Sequence, residues 1–261
     1  MLDNAIKFTP GGGHVAVSVG LQGVMAEILI EDTGIGIAPA NITQIFERFY
    51  RSMYDAGPGE GFVRPVNYGF NFGRWFIYDP RTGRYGDGVF HVNASIKPSS
   101  ITDGLSNTLC SAEVKTFQPC FRNTVNPGPA IPTSPSYLSQ YAGGAQFELG
   151  PNRNDNGGHV EWCDGPAHES GFTATFSPNQ FVKYEHSDNR TYDIDFNSRY
   201  EGTSRTEPTY AAITSRSYHT GLVQTVWMDG SVRTITNGID LTTWHAIATR
   251  DSGEVLESLS N

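Results

Sequence analysis

The pattern of apolar and polar positions along this chain changes character near residue 53. Before that point, His14 to Val19 alternates apolar and polar side chains and Val24 to Ile30 is a second apolar run. The two are predicted to pair as a hairpin across Gly20 to Gly23. Asn41, with Gln44 three residues on, is placed to cap a helix, and Ile42, Ile45, Phe46, Phe49 and Tyr50 share one face of it. That face requires a partner sheet. Residues 53–66 are punctuated by Gly and Pro and read as a connector where the composition shifts.

Beyond the connector the apolar runs are short and strand-like. Leu222 to Met228 and Ser231 to Thr236 flank Asp229-Gly230, a pair suited to a type I′ hairpin turn. Asn237-Gly238 ends the hairpin. Asp240 then caps a helix over Leu241 to Arg250, with Trp244, Ile247 and Ala248 on the face that meets the sheet. Ser99 to Thr108 reads as a turn with a short helical piece before a strand from Leu109 to Thr116.

Composition narrows the class. Charged residues are only 17% of the chain while aromatics are 12% and glycines number 29, which favours an α+β, β-rich fold of antiparallel sheet with many turns and short helices. The length of 261 residues accommodates one large domain or two small ones, each able to bury a core. A formal charge of -9, with no basic stripe, argues against nucleic-acid binding as a main role. No run approaches the roughly 20 apolar residues of a membrane helix. The opening Met-Leu-Asp-Asn shows no charged segment followed by an apolar one, so no signal peptide is read and the cytoplasm is the default expectation.

Three groups of residues invite chemistry. In HVEWCDGPAHE, the donors His159, Glu161, Cys163, His168 and Glu169 lie close in sequence, and a strand over 159–163 would put the first three on one face, compatible with zinc. The spacing fits no established zinc pattern, which favours a polar surface loop instead. In ITDGLSNT, Asp103, Ser106 and Asn107 offer oxygen ligands for calcium, and the same side chains suit an Asx-type turn; the turn is the expected role. His219 and Asp229 could be drawn into a triad with a serine, but no nucleophile elbow accompanies them. His219 is expected to cap or pack at the hairpin start. Arg216, Arg233 and Arg250 are candidates to pair with Glu113 or Glu254, and Cys110 is expected in the core.

Asn4, Lys7 and Phe8 in DNAIKFTP, Asp32, Gly34 and Gly36 in DTGIGI, and Phe46 and Phe49 in IFERFYR match three motifs in order and spacing. On these residues, 1–52 resembles the ATP-binding domain of sensor histidine kinases. The resemblance implies a magnesium ligand at Asn4, a phosphate contact at Lys7 and an adenine contact at Asp32, with Gly34 and Gly36 permitting close backbone approach. It is partial: no second glycine-rich box follows Ser52 and no phosphoacceptor helix precedes, so a truncated α/β-sandwich is expected. ATP and magnesium are cofactors only if this fragment works; otherwise none is expected.

A second set of markers runs through the rest of the chain. Asn67, Tyr68 and Gly73, then Gly88, Val89 and Phe90, then Ile101 to Thr108 and Glu113, and finally His219, Gly221, Asp229 to Val232, Thr249, Arg250, Gly253 and Glu254 follow one another in order. With them, residues 60–261 resemble a large family of secreted, pilin-like proteins of unknown function abundant in planctomycetes. A low-similarity polar insertion covers about 120–210, and the family's prepilin leader and apolar helix are replaced by the kinase-like segment. The resemblance implies a cell-envelope or extracellular setting and, along that route, a Cys120–Cys163 bridge; in the cytoplasm Cys110, Cys120 and Cys163 all stay reduced. The chain thus reads as a chimera with three parts: a kinase-like fragment over 1–52, a linker over 53–66 and a β-rich domain over 67–261. The expected role is a non-enzymatic structural or surface protein, self-associating or binding cell-surface proteins. The alternative is an ATP-binding histidine kinase fragment of two-component signalling.

Overall fold

The computed structural model describes residues 9–22, 25–34, 54–55, 62–63, 66–150, 157–160, 165–198 and 204–254, and the chain divides into two units, Met1–Arg51 and Ser52–Asn261. In the first unit, β1 (Val15–Gln22) and β2 (Met25–Asp32) pair antiparallel from Val15 opposite Asp32 to Gln22 opposite Met25. The hairpin is longer than its alternating core. Gly20, Leu21 and Gln22, expected in the turn, continue the strand, since a glycine costs an antiparallel ladder no hydrogen bond. Thr33 closes the open end, its N–H donating to the His14 carbonyl at 3.0 Å and its hydroxyl accepting from the His14 N–H at 2.8 Å. The expected helix after Asn41 lies outside the described residues.

The second unit begins with a short ladder of β3 (Tyr54–Asp55) on β4 (Phe62–Val63), so the Gly/Pro connector carries main-chain pairing of its own. There follow β5 (Tyr68–Asn71), β6 (Phe76–Asp79), β7 (Arg84–Tyr85), β8 (Leu109–Glu113), β9 (Cys120–Thr124) and β10 (Gln146–Glu148). Next come α1 (Ala167–Ser170), β11 (Gly171–Phe172), β12 (Lys183–Glu185), β13 (Thr191–Asp193), β14 (Asp195–Ser198) and β15 (Thr209–Ala212). The last elements are β16 (Leu222–Trp227), β17 (Val232–Thr236) and α2 (Leu241–Ala248). Single 3-10 stretches occur at Pro98–Ser100 and Pro135–Tyr141.

Two large sheets organise these strands. The first has five in the order β11-β5-β8-β16-β17, the second six in the order β10-β9-β14-β15-β6-β7. Both are mainly antiparallel, as expected, and each contains one parallel pair, β11 on β5 and β14 on β9. The chain passes between sheets within a few residues: β5 belongs to the first and β6 to the second, with Gly73 at φ 93° in the crossing. Under the first sheet, Leu109, Ala112, Val223, Trp227 and Ile235 pack on Trp244, Ile247 and Ala248 of α2. Asp240 caps that helix, accepting from the Thr243 N–H at 3.0 Å, as its sequence foretells. The helix ends at Ala248, two residues before Arg250.

The stretch 120–210, read as a polar insertion, supplies four of the six strands of the second sheet, β9, β10, β14 and β15. Its aromatic residues build a core with Trp75, in which Phe121, Phe196, Tyr141 and Tyr210 interlock at ring separations of 5.4–5.7 Å. The apolar residues are dispersed among polar ones because these strands are three to five residues long, too short to show a period. Among the described residues, no helix is long and apolar enough to cross a membrane.

The hairpin of β16 and β17 forms where expected, but its turn is one residue longer, so the register shifts by one and Val226, not Trp227, lies opposite Val232. Trp227 and Ser231 close it, with Gly230 N–H donating to the Trp227 carbonyl and Trp227 N–H to that of Ser231, both at 2.9 Å. Gly230 is left-handed at φ 83° while Asp229 is not, so Met228 to Gly230 form a type I turn with a glycine bulge rather than a type I′ pair.

Candidate functional site

Several sequence markers of the second unit, Gly73, Gly88, Asp103, Thr249, Arg250 and Gly253, meet around one junction. The Asn71 side-chain amide donates to the carbonyls of Leu109 and Ala248 at 2.8 and 2.9 Å and accepts from the Gly73 N–H at 2.9 Å. Asp87 grips Arg74 through its backbone N–H at 2.9 Å and its Nε at 2.7 Å. Here glycines are required by contact: a Cβ on Gly88 would lie 2.2 Å from the Gly73 nitrogen. Arg250 donates to the carbonyls of Gly86 and Gly88 at 2.6 and 2.5 Å and lies 5.2 Å from the Tyr85 ring.

Asp103 completes the junction. Its carboxylate accepts from the N–H groups of Gly253 and Ser252 at 2.8 and 3.0 Å and from the Thr249 hydroxyl at 3.3 Å. The motif ITDGLSNT therefore clamps the terminal TRDSGE segment, while Asn107 turns back to the Asp103 carbonyl at 3.1 Å. This is turn and clamp chemistry. Asp103→Ala is expected to cost about 1–2 kcal/mol, since acceptors for several N–H groups are lost at a half-exposed site. Urea unfolding measures the loss, and millimolar calcium is expected to leave the midpoint where it was.

A second group of polar residues is buried beside the second sheet. His159, His168 and Glu169, whose sequence favoured a surface loop, are 1, 2 and 6% exposed. Glu161 and Cys163 lie outside the described residues. The His159 Nε2 is 2.6 Å from the Gly171 carbonyl and its Nδ1 is 3.3 Å from that of Lys115. The His168 Nε2 faces Arg122 Nη1 at 3.0 Å. A guanidinium only donates, so this nitrogen accepts and the ring proton sits on Nδ1, 3.1 Å from the Asn197 amide, whose oxygen accepts it when turned that way. Burial first, and for His168 the Arg122 charge next, push the two rings down to about 4 and about 3.

The carboxylates around them are engaged as well. Glu169 accepts from the Val160 N–H at 3.2 Å, and Glu148 takes Arg122 Nη2 at 2.6 Å and the Cys120 thiol at 3.3 Å. Cys120 is a free thiol, and Cys163, to which an export route implies a bridge, lies outside the described residues; burial, with Glu148 beside it, raises the Cys120 pKa well above the ordinary value. Among the described residues, no group of three or more His, Cys, Asp and Glu side chains has the arrangement of a metal site. Arg122, Glu148 and Asn197 escaped sequence reasoning because they are scattered through strands whose period is illegible.

Three further expectations are corrected. Arg216 pairs with neither Glu113 nor Glu254; it is buried between Asp193, at 3.0 Å, and Asp195. Arg233 sits 3.8 Å from Asp229, and Arg250 3.5 Å from Asp251. Glu113 instead caps the Gln224 N–H at 2.8 Å and meets His219 Nε2 at 3.3 Å, which places His219 at the hairpin start as expected and away from Asp229. Cys110 is half-buried because the inward positions of β8 belong to Leu109 and Ala112.

In the first unit, Asp32 ends β2 exposed, its carboxylate accepting from the Gly34 N–H at 2.8 Å. Asn4, Lys7 and Gly36 lie outside the described residues.

The second unit is thus a two-sheet β domain whose sequence markers hold its own segments together. The chain belongs to the family described as "Protein of unknown function (DUF1559)", whose model matches residues 37–242, and residues 1–64 match the model of histidine kinase-, DNA gyrase B- and HSP90-like ATPases. It is a chimera of a partial histidine-kinase-type ATPase segment and a DUF1559 domain. The ATPase segment is similar to the sensor histidine kinases Hik2 and RppB of Synechocystis sp., at 45% identity over 67 residues and 49% over 55. It is also 48% identical over 63 residues to the signal transduction histidine-protein kinase/phosphatase MprB of Mycobacterium avium. These alignments cover 21–23% of this chain and 12–15% of those proteins, so the chain spans only a small part of their length. No solved structure matches the chain.

Proposed function

We propose that the protein acts through its second unit as a non-enzymatic structural or interaction module, of a pilin-like kind at the cell envelope. One observation carries this reading. Buried ionisable side chains such as Asp195, Arg216, His159, His168 and Glu169 each face a partner within the protein, and Asn71 with the markers Asp103 and Arg250 binds backbone groups of distant segments. A catalytic group needs a reacting atom within reach, and these groups already hold the fold.

The kinase likeness favours one second reading, nucleotide binding by Asn4, Lys7, Asp32, Gly34 and Gly36 with magnesium. Calorimetry with magnesium and ATP on the full chain and on Asp32→Ala separates the two. The structural reading expects no saturable heat at millimolar nucleotide. Saturable binding that disappears in the variant would establish the nucleotide site instead.

A further inference from the structure

The two large sheets end in four edges. β7 and β11 are two residues long and β10 three, too short to template a second chain. β17 differs, with five residues paired to β16 without a register shift and its other side open in the sheet order. It contains no proline. Its one charge, Arg233, is turned away over the Trp227 ring at 4.1 Å and toward Asp229. Among the described residues, the usual guards of an exposed edge are absent.

The phase of the ladder shows which groups are on offer. Ser231 and Asn237 bond to Trp227 and Gly221, so within β17 the odd-numbered residues face β16 and the even-numbered ones turn their N–H and C=O groups to the open edge. Those residues are Val232, Thr234 and Thr236, all exposed and β-branched; the Thr236 carbonyl also accepts from Ile239 N–H at 3.1 Å. We propose that β17 pairs with β17 of a second copy, antiparallel about a two-fold axis at Thr234, joining two five-stranded sheets into one.

The strand is complementary to itself in this register. Thr234 lies opposite its own copy, Val232 opposite Thr236, and Arg233 opposite Ile235, so no like charges meet. Val232, 66% exposed, also ends a row that runs through the half-buried Val226 and the buried Ser111 to the exposed Phe70, and pairing extends that row onto Thr236 and Leu222 of the second copy. The inference rests on the reading of this unit as an interaction module and names its partner.

Analytical ultracentrifugation of the full chain over a broad concentration range tests it. The chain is expected to pass from monomer to dimer, and Thr234→Lys and Thr234→Pro are each expected to weaken association at least about tenfold. The Thr234 N–H points outward, so proline removes an edge donor while leaving the bonds to β16 in place; thermal melting checks that both variants fold. Under mild oxidation, Thr234→Cys is expected to cross-link to itself, because facing residues of such a pair lie about 5.5 Å apart, within disulfide range. Thr236→Cys, opposite Val232, is expected not to. A chain monomeric throughout overturns the proposal, as does a dimer unaffected by the variants, which would still leave an interaction module using another surface. Failure of the non-enzymatic reading shows separately, as nucleotide binding by calorimetry.

Discussion

Arg216→Leu is expected to lower the unfolding free energy of the second unit by about 3–5 kcal/mol, the range for breaking a buried ion pair on one side. Arg216 is 1% exposed, and its guanidinium reaches Asp193 through Nε and Nη2 at 3.1 and 3.0 Å, Asp195 through Nη1, and the Thr214 carbonyl at 3.2 Å. Its backbone N–H donates to Glu113 of β8 at 2.9 Å, so one residue ties the second sheet to the first. Removing it strands the Asp195 carboxylate, 2% exposed, without its counter-charge. Burial already raises that carboxyl to about 6 despite Arg216, so the variant is expected to recover part of its loss at low pH, where Asp195 becomes neutral. Urea unfolding at pH 7.5 and 5 measures both effects. A variant within about 0.5 kcal/mol of the wild type at pH 7.5 would show that the cluster is hydrated and not the tie described.

Acidification of the unaltered protein is expected to act in the opposite sense. His159 and His168 titrate at about 4 and about 3 when folded, against roughly 6.5 when unfolded. Their depressed values add stability that is present above the unfolded value and lost as pH falls toward the folded ones. Asp195, raised to about 6, works against this by gaining a proton in the folded chain over part of the same range. Two histidines against one aspartate leave about one net proton taken up on unfolding near pH 5–6, which corresponds to ~1.4 kcal/mol per pH unit. His91 and His245, also held low mainly by burial, add to the slope. Denaturation series from pH 7.5 to 5 should show it, and His159→Gln with His168→Gln should flatten it. A flat profile in the wild type would mean that the two rings meet water in the folded state.

The local pattern was legible where elements were long or their punctuation strong. The first hairpin, the pairing of β16 with β17, the Asp240 cap and the apolar face of α2 all follow from neighbouring residues, because strand alternation and helix capping are short-range. The turn type was not legible. Asp229-Gly230 suits more than one hairpin, and the choice falls with the Asp229 N–H donating to the Leu105 carbonyl at 3.1 Å and its carboxylate accepting from Ser231 N–H at 2.9 Å.

By itself, the sequence determined that this chain joins two families, that its larger part is β-rich, and that ITDGLSNT and TRDSGE matter to it. Only the tertiary structure decided that those motifs meet each other rather than a ligand, since residues 103 and 253 become neighbours through sheet order. It likewise decided that His168, expected at the surface, lies at the centre of a polar cluster with Arg122, Glu148 and Asn197. The physical reason is the same in both cases. A polar side chain carries no mark of burial in the sequence, and becomes affordable inside only when distant strands bring it hydrogen-bonding partners.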